Sequence, residues 1–220
     1  MRTEPVESAE SLIFYTHPMS RGRVSRWMLE ETGLPYAEVV LDYGSTMKSA
    51  DYLAVNPMGK VPALRHGGAT ITEGAAICLH LADLAPQRAL VPPPGSALRG
   101  LCYRWLFFAA GPLESFLTAR KHGPLAPAVE AGYGQEADLM RTLEQAVAGK
   151  AYVVGESFTV ADLYLSALLG FYMRVGMLER KPVFESYAMP HFQRPAALRA
   201  QARDDALMAA HPHPAAPVAA

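Results

Sequence analysis

The sequence predicts an α/β unit followed by an all-helical unit. Three observations carry this. Strand and helix signals alternate through the first ninety residues, a proline-rich stretch interrupts them, and every periodic segment after Ser96 is helical. The 220 residues are enough to bury a core without cross-links.

Leu12-Ile13-Phe14-Tyr15 is a short apolar run ended by Thr16-His17-Pro18, which reads as a buried strand. Ser20 then opens a helix. Val24, Trp27, Met28 and Glu31 fall at i, i+3, i+4 and i+7, and Gly33 followed by Pro35 marks the stop. Glu38 to Leu41 reads as a second strand and Asp51 to Val55 as a short helix ended by Asn56-Pro57. Val61 to Leu64 and Thr70 to Thr72 flank the Gly67-Gly68 turn, so they pair as an antiparallel hairpin. Glu73 to Ala85 is helical, with Ala76, Ile77, His80, Leu81 and Leu84 along one face. The order is β-α-β-α-β-β-α, and the first two strands, joined through a helix, should be parallel with a right-handed crossover.

Pro86 and Pro92-Pro93-Pro94-Gly95 sit where periodicity is weakest. The boundaries that follow are a first domain over 11–86, a linker over 87–96, a helical domain over 97–203 and a disordered tail over 204–220, where the His/Pro/Ala-rich end discourages a helix. Leu98, Leu101, Cys102, Trp105 and Leu106 have helical spacing, as do Ala137, Met140, Leu143 and Val147. Gly111-Pro112 predicts a kink and Gly123-Pro124 a stop. The sharpest signal here is Ser157-Phe158-Thr159-Val160-Ala161-Asp162-Leu163. Thr159 can cap the amide three residues on, Asp162 can reach back to the Thr159 amide, and Phe158 with Leu163 can form the apolar staple.

Composition excludes several functions. The net charge of −1 asks for no nucleic-acid or membrane-surface partner. Two cysteines, Cys78 and Cys102, make neither a disulfide framework nor a metal site, and they suit a reducing compartment. Met1 to Glu10 lacks the apolar core of a signal peptide, and no apolar run is long enough to span a bilayer, so a soluble cytoplasmic protein is expected. No Gly-x-Gly-x-x-Gly follows the first strand, no phosphate-loop lysine appears, and zinc-ligand spacing is lacking.

Four segments together resemble one family. Asn56-Pro57-Met58-Gly59-Lys60-Val61-Pro62-Ala63-Leu64 is similar to the segment before the third strand of cytosolic glutathione transferases. Thr72-Glu73-Gly74-Ala75-Ala76-Ile77 resembles the motif that opens their third helix. The Thr159/Asp162 box resembles their capping box, and the proline-rich linker sits where they change domain. The resemblance covers roughly residues 11 to 200. It implies a thioredoxin-like first domain, glutathione as co-substrate with no metal, and a homodimer with each first domain against the partner's helical domain.

The resemblance also implies the binding residues, namely Lys60, Val61, Pro62, Glu73 and Gly74. Val61-Pro62 would match the family's cis bond, which leaves the Val61 N–H and C=O open to the tripeptide as to an added strand. A trans proline starting an edge strand is the alternative. Glu73 could face the ligand's α-amino group, with the Gly74 and Ala75 amides at a helix N-terminus toward its carboxylate, or it could only complement the helix dipole. Gly74 departs from the family's serine and removes one hydroxyl donor.

A thiol with a pKa of about 8.5 needs roughly 2.7 kcal/mol of differential stabilisation to fall by two units. The family places Ser, Tyr or Cys for this near the end of the first strand or the start of the first helix. The candidates are Ser20, otherwise a plain N-cap, and Tyr15, otherwise a core aromatic, with Ser20 placed ahead and Thr16 also in range. His17 is a further donor, and Arg21 and Arg23 either add positive field or form a solvated first turn. With no cysteine in this loop, mixed-disulfide chemistry is not expected, and Cys78 and Cys102 read as buried thiols.

The second substrate, a small hydrophobic electrophile, is expected between the domains, with Tyr103, Phe107, Phe108, Leu113 and Phe116 as candidate lining. The implied activity is glutathione conjugation. A non-catalytic glutathione- or ligand-binding protein, or a glutathione-dependent isomerase or dehalogenase, would use the same fold.

Overall fold

A computed structural model describes residues 11–211; Met1–Glu10 and 212–220, which include most of the expected tail, lie outside the described residues. The first domain runs β1 (Leu12–Thr16), α1 (Gly22–Thr32), β2 (Ala37–Val40), α2 (Ala50–Val55), β3 (Ala63–His66), β4 (Ala69–Ile71) and α3 (Gly74–Leu84). The sheet order is β2-β1-β3-β4. β1 pairs parallel with β2, Ile13 opposite Ala37, and antiparallel with β3, Phe14 opposite Leu64. β3 and β4 form the antiparallel hairpin, with Leu64 opposite Ile71.

β1 is apolar from Leu12 to Tyr15 because both of its faces are covered. Alternation sends Leu12 and Phe14 into the main core with Val24, Trp27, Met28 and Leu64, whereas Ile13 and Tyr15 face a smaller cluster of Leu41, Met47, Tyr52 and Ala63. Phe14 and Leu64 are wholly buried, each worth about 1.5–3 kcal/mol relative to exposure. Strand pairing in β3 starts at Ala63, opposite Tyr15, so Val61 and Pro62 precede the ladder. α1 ends as expected, with Gly33 at φ 70° and its N–H donating to the Leu29 carbonyl.

The helical domain comprises α4 (Ala97–Phe108), α5 (Glu114–His122), α6 (Glu136–Val147), α7 (Val160–Arg174), α8 (Pro182–Phe192) and α9 (Pro195–Met208). The Gly111-Pro112 kink is a π-helical turn over Ala109–Leu113 that joins α4 to α5, and α5 stops at His122 before Gly123. The linker is tied at both ends. Arg99 makes two 2.6 Å bonds to Asp83 and donates to the Pro92 carbonyl at 2.9 Å, and the Leu90 carbonyl accepts from Val160 N at 2.7 Å.

The capping box forms at the start of α7, with both reciprocal bonds present and Phe158 and Leu163 buried. Asp162 is wholly buried and accepts four hydrogen bonds of 2.7–2.9 Å: from the amides of Val153 and Thr159, the Thr159 hydroxyl and the Tyr187 hydroxyl. Four donors on one carboxylate offset its loss of water.

One boundary needs correction. Helix α9 continues to Met208, past the expected end of order at 203. The reason is Arg26, a fully buried cation in the middle of α1. Its Nε donates to Asp204 at 2.7 Å and its Nη1 to Glu38 and Tyr36, so burial of the guanidinium requires the carboxylate that α9 brings. Asp204 is 1% exposed. Its carboxyl pKa is nevertheless raised, because desolvation outweighs the neighbouring Arg26.

Candidate active site

The loop between β1 and α1 is built around Ser20. Its hydroxyl donates to the His17 carbonyl at 2.7 Å and accepts from Gly22 N at 2.9 Å, so it braces the turn into a helix that begins at Gly22, two residues later than expected. The His17 ring is buried edge-on against Tyr43, 4.6 Å between centroids, and its Nδ1 accepts from Met19 N. Gly22 lets the chain turn this tightly, because a Cβ there would stand 2.1 Å from Thr16 Oγ1 and 2.9 Å from Ser20 Oγ. Arg21 and Arg23 are not a solvated first turn. Arg21 donates to Glu114 at 2.9 Å and Tyr172 Oη at 2.8 Å, and Arg23 pairs with Asp205 at 2.8 Å, which fastens α1 to the helical domain.

The loop before β3 borders the same cleft, and its Val61–Pro62 bond is cis. This loop is strapped from beneath. Tyr52 Oη and Asn56 Nδ2 both donate to the Lys60 carbonyl, at 2.6 and 2.8 Å, and Lys48 Nζ donates to the carbonyls of Met58 and Gly59. Gly59 has φ 58°, and a Cβ on it would meet Lys48 Nζ at 2.7 Å. No hydrogen bond among the described residues engages the Val61 N–H or C=O. Lys60 is exposed, Val61 half-buried and Pro62 buried.

Ser20, Lys60 and Val61 face one interdomain cleft of about 1110 Å³. Tyr15, Pro62, Glu73 and Gly74 do not line it. Tyr15 is 9% exposed, with its ring 5.5 Å from that of Tyr52. Glu73 is exposed at the junction of β4 and α3, at φ 64° and ψ 116°, a backbone conformation that favours glycine. Gly74 follows as the first residue of α3, and a Cβ there would lie 3.4 Å from Tyr164 Oη, in ordinary contact. Both thiols are buried, and burial pushes Cys78 up to about 12 and Cys102 up to about 11.

The expected lining for a second substrate is not what the fold provides. Leu113 and Phe116 are wholly buried core residues, Phe107 is 74% exposed, and none of Tyr103, Phe107, Phe108, Leu113 and Phe116 reaches the cleft. The helical wall comes instead from Leu168 and Phe171 of α7, Met189 and Phe192 of α8, and the small residues Ala197 and Ala200 of α9, facing Val24 and Trp27 of α1. The missed signal was the second face of α7, where Ala167, Gly170, Phe171 and Arg174 follow helical spacing but resemble any surface stripe.

A thioredoxin-like sheet with a cis-proline loop facing a helical domain defines a two-domain architecture, and sequence comparison agrees. The glutathione S-transferase N-terminal domain profile matches residues 20–84, and the C-terminal domain profile matches residues 104–194. Glutathione S-transferase GstA of Escherichia coli O157:H7 is 34% identical over 164 residues, spanning 71% of this chain and 80% of that protein. A glutathione transferase crystal structure from Methylococcus capsulatus has a TM-score of 0.74 at 29% identity, over 89% of this chain and 99% of that one. A sphingomonad glutathione S-transferase complexed with glutathione has a TM-score of 0.72 at 30% identity, over 88% and 98%. The chain belongs to the glutathione S-transferase family. Among the described residues no helix is long and apolar enough to cross a membrane, and no three metal-ligating side chains gather.

Proposed function

We propose that this chain is a cytoplasmic glutathione transferase that binds glutathione along the cis-proline loop, activates its thiol at Ser20 and conjugates it to a small hydrophobic electrophile. The observation that carries this reading is the shared cleft. The unengaged Val61 backbone offers a strand-like anchor for the cysteinyl residue, and Ser20 lines the same cleft. With the ligand's cysteine paired to Val61, the Ser20 hydroxyl turns its proton from the His17 carbonyl to the sulfur, while Gly22 N continues to donate to its oxygen. A donor supported in this way stabilises a thiolate beside a helix N-terminus.

Glu73 receives the ligand's α-amino group, the Gly74 and Ala75 amides its γ-glutamyl carboxylate, and Lys60 its other carboxylate. Tyr15 is the lesser candidate for the thiol donor, because its ring is buried on the Tyr52 side of the sheet. The reaction is attack by a positioned thiolate. A homodimer would cover apolar side chains that α4 leaves exposed, Leu98, Leu101 and Phe107 at 44, 42 and 74%.

The test is the thiol pKa of bound glutathione in the wild type, Ser20→Ala and Tyr15→Phe. A depressed pKa that returns to the free value only in Ser20→Ala is expected. A wild-type value indistinguishable from free glutathione refutes the transferase reading. Tight binding without turnover across a broad electrophile panel assigns a non-catalytic binding role.

A further inference from the structure

The charged side chains of the cleft account for one another almost completely. Arg21 pairs with Glu114, Arg23 with Asp205 and Asp204 with Arg26, and Lys48 is spent on two carbonyls. Two cations remain without an ionic partner among the described residues, Lys60 on the first-domain wall and Arg174 on the helical wall. Lys60 adjoins the cis-proline loop. Arg174 stands in the last turn of α7, its guanidinium 5.7 Å from the centre of the Phe171 ring, at the rim of an apolar surface made by Trp27, Leu168, Phe171, Val175, Met189 and Phe192. Ligand pockets of about 300–1,000 Å³ hold drug-sized molecules, so 1110 Å³ has room for a tripeptide and a second molecule.

From this we infer that the second substrate is a flat aromatic electrophile bearing a carboxylate, its ring on the Phe171 and Trp27 surface and its carboxylate on Arg174. The inference rests on the transferase reading for its chemistry. The guanidinium fork takes a carboxylate through two parallel N–H donors, which a hydroxyl or amide in its place would not match. In the reaction with an aryl chloride, the glutathione sulfur bonds to the ring carbon that carries chlorine. Chloride leaves with the bonding pair, and the thiol proton passes to solvent.

Two electrophiles of matched shape test it, 4-chloro-3-nitrobenzoate and the neutral 1-chloro-2,4-dinitrobenzene. The ratio of kcat/KM for the carboxylate to that for the neutral compound should fall about tenfold in Arg174→Met and recover in part in Arg174→Lys, as expected for a charge-assisted contact at an exposed guanidinium. Added salt should lower the wild-type ratio and leave that of Arg174→Met unchanged. A ratio identical in wild type and Arg174→Met overturns the inference. So does a rise in KM for glutathione as large as that for the carboxylate, which would assign Arg174 to the co-substrate.

Calorimetric titration with 3-nitrobenzoate, which has the ring and carboxylate but no leaving group, reads the same subsite without turnover. Binding weakened about tenfold in Arg174→Met supports the assignment, and equal binding overturns it. Absence of turnover with both electrophiles would strike the transferase reading alone, because the titration still decides the subsite.

Discussion

Glu73 holds a backbone conformation that a side chain resists, and glycine at that position should separate its structural cost from its use. A non-glycine residue in such a region costs on the order of 1–3 kcal/mol. Glu73→Gly removes that cost but adds about 0.4–1 kcal/mol of unfolded-chain entropy, for a net gain of about 1 kcal/mol, or roughly 2–4 °C in Tm for a chain of this size. Glu73→Ala keeps the Cβ and therefore the strain, so its Tm should stay with the wild type. Both variants lose the carboxylate that we assign to the ligand's ammonium, a charged hydrogen bond worth about 1.5–3 kcal/mol, so both should bind glutathione about 10- to 150-fold more weakly. Thermal melting paired with calorimetric titration reads both quantities. If Glu73→Gly melts no higher than Glu73→Ala, no strain is stored there. If both bind like the wild type, Glu73 does not receive the amino group.

Gly74→Ser should tighten glutathione binding about two- to tenfold, because the new Cβ lies in ordinary contact with Tyr164 and its hydroxyl adds one neutral donor; unchanged or weaker binding in titration argues against the carboxylate site at α3. His80 and His191 both have lowered pKa values, chiefly by burial, so the folded state binds fewer protons than the unfolded chain below pH 6.5. That stability is complete above 6.5 and is lost as pH falls through the folded values, and His191→Gln should flatten the decline of urea stability with acidification. In the neutral ring that burial favours, His191 Nε2 donates to the Ala151 carbonyl at 3.0 Å and Nδ1 accepts from Ser166 Oγ at 2.7 Å. Arg26→Met should cost about 3–5 kcal/mol in urea unfolding by stranding Asp204 and Glu38, with part recovered in Arg26→Met/Asp204→Leu; a loss under about 1 kcal/mol would show that the ion pair is dispensable.

Local signals were legible wherever short-range chemistry sets the structure. The Thr159/Asp162 box, the Gly33 stop and the Gly67-Gly68 hairpin each depend on residues within a few positions of one another, and each formed as read. The cis Val61–Pro62 bond was legible only through the family resemblance of its contiguous motif, since the residues alone suit a trans proline as well. Pairings across long sequence separations were not legible. Asp204 and Asp205 look like ordinary surface acids until α9 is laid against α1, where they meet Arg26 and Arg23. The cleft's helical wall failed for the same reason, since an apolar stripe does not say which neighbour it faces, and Leu113 and Phe116 turned inward while Phe171 met the cleft.

The Arg26–Asp204 pair also fixes when this molecule can be finished. Chains fold from the N-terminus as they are synthesised. The first domain here carries a cation whose partner is encoded 178 residues later. Until that carboxylate arrives, α1 cannot bury its guanidinium in the native way, and the cleft lacks the α9 part of its wall. Order in the two domains is therefore coupled at the close of translation, and a chain broken off before residue 204 should stall as an open, protease-sensitive form whatever the quality of its first domain.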